Sequence, residues 1–491
     1  MALSMLVLMA WSAILPKPQS VVNEQVTPSD QQLSPSRPVS PIINEIESRV
    51  LGESVYYAHH NALVDFSESG ASIKSVTFEN HQDYVFNLQS ALLVNDASLI
   101  FQLSRKDPNL ISFGHSDENK KIVKEISFLS DYNFNLRINV QNTSKEKIHY
   151  KMSIMLGVLD YSSINSRYQD VYISTPDKTF HAKGNKEKEF VNLNFLGIRE
   201  KYFCLILEPN RKGSSGFIKR IGKSEFEVGL ESPEFELAPG ESYEEQYNVY
   251  LGPQDVRIIN QINQNWASVV YYGMFDFIAQ LLLQALHFFH NILKNWGLSI
   301  IFLSVCIYFL LFPLSLKQMR SMKQMQILQP KIEELRKAYK DNPQKLNKEI
   351  MELYREHKVN PMSGCLPLIL QMPFFISLWE VFQRSVVLMG ASFLWIKDLA
   401  SPDRLIVFSG DAFVKEINIL PLVTAVLMFL QSKATAGSAT GEQAQQQKMM
   451  TVIFPVIFGF AFYNMPSGWM LYFTVNSFLM FVNQSLIGKR K

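Results

Sequence analysis

The sequence predicts a membrane α-helical bundle, five core helices plus an N-terminal anchor, that carries an all-β sandwich as a separate domain. Three observations lead there. Apolar residues are 47% of the 491, an ordinary share, yet they are unevenly placed: residues 17–260 are polar and mixed, whereas 270–491 hold most of the long apolar runs. Between 43 and 252 the apolar residues come in short alternating stretches separated by turn residues, the period of half-buried strands. The basic residues concentrate in some connecting segments and avoid others, as positive-inside topology requires.

Residues 2–15 (ALSMLVLMAWSAIL) are apolar but shorter than the about 20 residues of a full span. No Lys or Arg precedes them and no A-x-A site follows, so a cleaved signal peptide has little support. Residues 1–16 are read as a short N-terminal anchor. Residues 17–42 are rich in Pro, Ser and Gln and read as a disordered linker.

Residues 43–255 are the expected β-sandwich. Ala71–Phe78, Phe134–Val140, Lys151–Leu156, Phe190–Phe195 and Glu244–Leu251 are its clearest strands. In 270–294 the polar residues Asp276, Gln280, Gln284, His287, Asn291 and Lys294 recur every three or four positions, the stripe of an amphipathic helix. Such a helix lies in a membrane interface; an ordinary helix packed on the sandwich is the competing reading.

The expected spans are 296–316, 363–389, 417–432, 449–463 and 468–487; the last three are short enough to need tilt or a thin bilayer. Glu380 and Arg384 lie one turn apart in the second and are expected to pair. Between the first two spans, 317–358 carries eleven Lys or Arg against six Asp or Glu, whereas 390–416 carries three against four. The positive-inside rule then puts 317–358, 433–448 and the Lys489-Arg490-Lys491 tail in the cytoplasm and the sandwich on the opposite side, the periplasm of a bacterium. Within 327–359, Leu328, Ile332, Leu335 and Tyr339 mark one helical stripe and Leu346, Ile350, Leu353 and His357 another. Asp341-Asn342-Pro343 separates them, which predicts a helical hairpin. Its basic residues Lys331, Arg336, Lys337, Lys340, Lys345, Lys348 and Arg355 are either a solvated face that fixes topology or a docking surface for anionic partners such as ribosomal RNA or lipid headgroups.

Catalytic chemistry is not indicated. Net charge is +2, so bulk charge does not point to nucleic acid. Three cysteines (Cys204, Cys306, Cys365) form neither a disulfide framework nor a ligand set. Gly216 and Gly222-Lys223-Ser224 miss the phosphate-loop spacing by one residue. His59-His60 is an isolated pair expected at the surface. No enzyme activity, metal or cofactor is expected. What the spans contain is neutral polarity: Ser299, Ser304 and Tyr308 on the first, Tyr472, Thr474, Asn476, Ser477, Asn483 and Gln484 on the last. These side chains either hydrogen-bond between helices or line a hydrophilic groove.

In order along the chain stand YLGPQ (250–254), NWGLSIIF (295–302), FPLSLKQMRSMKQMQILQPKI (312–332), VNPMSGCLPLILQMPFFISLW (359–379), LWIKDL (394–399) and FPVIFGFAFYNMPSGWMLYF (454–473). The set is collinear with, and resembles, the YidC family of membrane protein insertases in its Gram-negative form. The resemblance implies an inner-membrane insertase and chaperone. It would pass a client's polar end through a groove open to cytoplasm and lipid, alone or with the Sec translocon, without nucleotide hydrolysis. Nascent inner-membrane proteins, the Sec translocon, the ribosome (weakly, given the short tail) and anionic lipids are the implied partners. The groove candidates are Ser304, Tyr308, Tyr472, Phe473 and Asn476. The family's groove arginine aligns with Tyr308, and a family tyrosine with Phe473, so the usual groove cation is missing. A membrane-anchored periplasmic binding module and a small-solute transporter are the rival readings; the latter calls for repeat-related broken helices, which the sequence lacks.

Overall fold

The computed structural model describes residues 53–95, 98–162, 164–183, 185–340, 342–357, 359, 366–408, 416–435 and 449–489. The anchor at 1–16, the linker at 17–42, Cys365, most of 433–448 and the end of the basic tail lie outside these residues. The chain divides into two compact units, Met1–Gly252 and Pro253–Lys491.

The described residues of the first unit are mainly β, in sheets of nine, five, four and two strands. In the nine-stranded sheet Asn133–Asn142 lies between Lys120–Ser130 and Ser242–Pro253, antiparallel to both. Period-two alternation buries Phe134, Leu136, Ile138 and Val140 on one face. On the neighbouring strand the same alternation buries Ile122, Lys124 and Ile126. Lys124 is thus a cation inside a hydrophobic layer. Its ammonium donates to the carbonyls of Leu92, at 2.5 Å, and Ala71. Both acceptors are turn residues with positive φ (57° and 46°), whose carbonyls point inward. Burial pushes the Lys124 amine down to about 7.

Two expectations fail in this unit. Phe190–Phe195 is not a strand but the gap between Lys188–Phe190 and Phe195–Arg199. Asn192 adopts φ 54°, which breaks the extension, and Val191 is exposed. His59 is buried rather than at the surface, stacked between Phe128 (4.5 Å) and His60 (4.3 Å). Gly222-Lys223-Ser224 is the turn of a β-hairpin, where Ile221 and Gly222 donate to the Glu225 carbonyl.

The second unit is helical: α1 (Val256–Ile262), α2 (Asp276–Leu293), α3 (Trp296–Ala338), α4 (Pro343–Glu356), α5 (Leu366–Arg384), α6 (Ile419–Thr435), α7 (Phe454–Ala461, entered through a π turn at Met449–Ile453) and α8 (Ser467–Lys489). Caps fix several starts. Asp255 accepts from Arg257 N (2.9 Å), Asn295 from Leu298 N (3.0 Å) and Asn342 from Lys345 N (3.1 Å), with Pro343 in the first turn of α4.

The 296–316 span and the first helix of the hairpin, read from the sequence as separate elements, are one helix: α3 has 43 residues. The residues joining the two parts (LKQMRSMKQMQI) are good helix formers without glycine, so charge changes along the helix while the backbone does not. At 1.5 Å per residue α3 is ~65 Å long, about twice a hydrocarbon core. Its first part, Trp296–Leu316, has a mean hydropathy of 2.4 and is long and apolar enough to cross a membrane; Ile419–Lys433 and Thr451–Ala461 are shorter apolar helices.

Candidate functional site

Three parts of the helical unit bear on function: a polar seam in its interior, a hydrogen-bonded cap at one end and a basic hairpin at the other.

The seam centres on α8. Tyr308 of α3 is buried, with its ring edge-on to Phe309 and against Phe312. Its hydroxyl donates to the Leu479 carbonyl of α8 (3.3 Å) and hydrogen-bonds the Asn483 side chain. Tyr472 is almost wholly buried and accepts from the Gln371 amide of α5 (3.3 Å). The hydroxyls of Thr474 and the buried Thr424 of α6 lie 2.7 Å apart; one donates to the other, and the second donates to the carbonyl four residues earlier on its own helix. Gln431 of α6 reaches the Met480 sulfur (3.8 Å). Three neighbouring helices therefore send polar groups to one helix, where lipid-facing residues would be apolar.

The five groove candidates divide. Tyr308 makes the α3–α8 link. Ser304 is fully buried but donates to Ile300 on its own helix (2.6 Å). Tyr472 is sealed inside. Phe473 is half-buried and packs with Trp469 (4.4 Å), Phe375 (5.5 Å) and Phe458 (5.7 Å) in an aromatic cluster, an apolar wall rather than a polar lining. Asn476 is half-buried, one turn beyond Tyr472. Gln371, Thr424 and Asn418 were missed. The available signal was their isolation as polar residues inside or beside apolar runs.

Outward from α2, α3, α6 and α7 the surface is apolar: Phe277, Phe288, Phe309, Val426 and Phe460 are all more than half exposed. On α2 the exposed residues are mixed. The polar stripe divides: His287 is buried against the Trp296 ring (5.1 Å), Gln284, Asn291 and Lys294 are exposed, and Phe277, Leu281, Phe288 and Ile292 are exposed with them. Burial and the nearby Arg257 guanidinium hold His287 down at about 4, so it is neutral near pH 7; His290 stacks flat on the same indole (3.8 Å). α5 holds the entry to α2, with Arg384 donating to the Tyr271 carbonyl (3.2 Å) and Ser377 to the Phe275 carbonyl (3.2 Å). The Glu380–Arg384 pair forms at 2.8 Å.

The cap is formed by residues 390–408 and 416–418 with the turn before α8. Asp403 accepts from Ile419 N (2.8 Å) and Leu420 N (3.2 Å), capping α6, and from the Trp395 indole (3.3 Å). Fully buried Asn418 donates to the Tyr463 carbonyl (3.0 Å), while the Tyr463 hydroxyl donates to the Glu416 carbonyl (2.9 Å). Ser467 and Gly468 donate backbone amides to Ser401 and Leu399 (2.7 and 2.9 Å). Gly297 is needed here, because a Cβ on it would overlap the Phe393 ring. The motifs NWGLSIIF, LWIKDL and NMPSGW thus meet at one closed end.

The other end is the hairpin of the C-terminal part of α3 with α4. Leu328, Ile332 and Val359 are buried, with Met325, Ile350, Leu353 and Tyr354 packed on them. Lys331, Arg336, Lys337, Lys340, Lys345, Lys348 and Arg355 all point to solvent. Among the described residues no group of His, Cys, Asp or Glu could hold a metal ion.

Two family models match the chain: one described as a 60Kd inner membrane protein, over residues 288–491, and one described as a YidC periplasmic domain, over 98–285. A membrane protein insertase YidC of Syntrophobacter fumaroxidans is 31% identical, over 87% of this chain and 79% of that one. Another, of Geotalea daltonii, is 29% identical over 99% and 97%. A solved structure of an active YidC insertase with its first transmembrane domain resolved aligns at a TM-score of 0.40 and 19% identity, over 90% of this chain and 96% of that one.

Proposed function

The chain belongs to the YidC family of membrane protein insertases, inner-membrane proteins with a periplasmic domain, and from that premise we propose how its own residues carry out insertion. The seam between α3 and α8 is where a client's polar segment enters the bilayer. Carrying a peptide group across hydrocarbon without partners costs several kcal/mol, and a seam of hydroxyls and amides lowers that cost. The supporting observation is the Tyr308 hydroxyl bonded to the Leu479 carbonyl inside a bundle whose outer surface is apolar. It is a reversible latch: a client's polar groups can replace the carbonyl and Asn483 as partners. The client's apolar segment, about 20 residues long, then partitions into lipid beside the exposed faces of α3 and α6 and supplies the driving force. No nucleotide hydrolysis is needed.

The same reading makes the chain multi-pass, with hairpin and C-terminus cytoplasmic and the closed cap on the periplasmic side. The hairpin's seven exposed cations then face the ribosome and anionic headgroups, and the Sec translocon is a second partner. The missing groove cation implies that attraction of acidic client tails is not how this chain selects its clients. Reconstitution into liposomes tests the reading, with a single-span client carrying a short translocated tail. The tail should become protease-protected only when the protein is present. No gain over empty liposomes, with a second YidC insertase active alongside, would contradict it.

A further inference from the structure

We propose that the loop between α5 and α6 is a lipid-seated foot, which rests its apolar side in the leaflet at the capped end of the bundle. The loop exposes an uncharged run, Leu405–Phe408, together with Leu394 and Trp395; Leu394 is 76% exposed and Val407 65%. Four consecutive outward-facing apolar residues are a liability in water and an advantage at a bilayer surface. The two stretches belong to one patch. The Trp395 indole is tied to Asp403, and Leu405 donates its amide to the Ile417 carbonyl (2.9 Å), which starts the short ladder Ile406–Val407 with Glu416–Ile417.

Three features favour lipid over a protein partner. The loop leaves α5 at Arg384 and re-enters α6 at Ile419, so two helices read here as spans hold it at the membrane boundary. The patch continues into the exposed apolar side of α6, which begins with Leu422 and Val423. Trp395 presents its ring outward with its N–H already satisfied by Asp403, the arrangement that suits an interfacial tryptophan. The Arg404–Glu416 ion pair (2.9 Å) supplies a polar rim. Asp403 also caps α6, so a seated foot fixes the depth of that helix as well as its own.

The proposal rests on the membrane-spanning reading of α3, α5 and α6, and the test separates the two. The full chain, with Cys204→Ala, Cys306→Ala and Cys365→Ala, receives Val407→Cys, Leu394→Cys or Phe309→Cys, each labelled with an environment-sensitive fluorophore. Each is reconstituted in phosphatidylethanolamine–phosphatidylglycerol vesicles doped with lipids bearing a nitroxide at a shallow or a deep acyl position. The labels at 407 and 394 should shift to the blue and lose most of their emission to the shallow nitroxide, while Phe309→Cys is quenched by the deep one. Aqueous emission at 407 and 394, quenched by iodide alone while the 309 label stays lipid-quenched, would overturn the foot, leave the spans standing and mark the patch for a protein. Loss of lipid quenching at 309 as well would overturn both.

Discussion

The two units solve opposite solvation problems. In the sandwich, strands such as Asn133–Asn142 bury an apolar face and turn polar residues outward. Among the described residues Lys124 departs from this, a long charged side chain buried with backbone carbonyls as its partners. In the helical unit Ser299, Ser304, Ser377, Thr424 and Ser467 are buried, while Phe309, Val426 and Phe460 face outward. On the proposed function, water is the outer solvent of the sandwich and hydrocarbon that of the apolar helix faces. The lesson is that an exposed apolar residue has no fixed meaning until the location of the polar groups is known.

That contrast can be broken in four ways. The largest effect is expected at Gly297. Gly297→Val would drive two methyls into the Phe393 ring and cost about 3 kcal/mol or more, whereas Gly114→Val in the sandwich meets nothing within 4 Å. Thermal unfolding in detergent should separate the two variants widely, and equal stability would refute the close approach. Nearly as large is Val426→Arg on the outer side of α6, worth about 3 kcal/mol if lipid covers that position. Val191→Arg, at a more exposed site in the sandwich, should stay within about 0.5 kcal/mol. Similar small effects for both would mean that α6 faces water.

The third way uses pH. Lys124 binds its proton less tightly folded, at about 7, than unfolded, near 10.5. Above pH 7 the unfolded chain holds the extra proton, so raising pH stabilises the sandwich, by up to about 1.4 kcal/mol per pH unit between pH 8 and 10; below pH 7 this contribution is flat. Lys124→Met should remove the slope, which thermal melts of both proteins across that range would show. The smallest effect is Tyr308→Phe, which deletes the hydroxyl bonded to Leu479 and should cost about 1 kcal/mol. Tyr308→Arg should fold, because Asn483 and the carbonyl offer the cation partners; failure to accumulate in the membrane would mean the seam is too dry for a charge.

Where local pattern decides structure, the sequence was informative. The alternation of Phe134, Leu136, Ile138 and Val140 and the hairpin stripe of Leu328 and Ile332 with Ile350 and Leu353 read directly as strand and helix faces. What failed depends on partners far along the chain or on an absent signal. His59 is buried by Phe128, which no local period reveals. The 43-residue continuity of α3 is not evident in the sequence, where the apolar run and the hairpin stripe read as separate elements. On α2 spacing found the polar stripe but not that His287 within it is buried against Trp296 of α3. Tyr308 and Tyr472 stand out as isolated polar residues in apolar runs, and Gln371 does too, but that Gln371 pairs with Tyr472 and the Leu479 carbonyl with Tyr308 becomes visible only once the helices are assembled.

The central claim, that the seam between α3 and α8 is a polar path open to the cytoplasm, is tested most directly by cysteine accessibility. Asn476→Cys, Tyr308→Cys and Val426→Cys would be placed singly in the full chain lacking its own cysteines. Each would be challenged in inside-out membrane vesicles with a membrane-impermeant maleimide. Asn476→Cys and Tyr308→Cys should react and lose reactivity when a stalled client occupies the insertase, while Val426→Cys stays unreactive throughout. Protection of 476 and 308 equal to that of 426, with or without client, would contradict the account and leave the seam as helix packing alone.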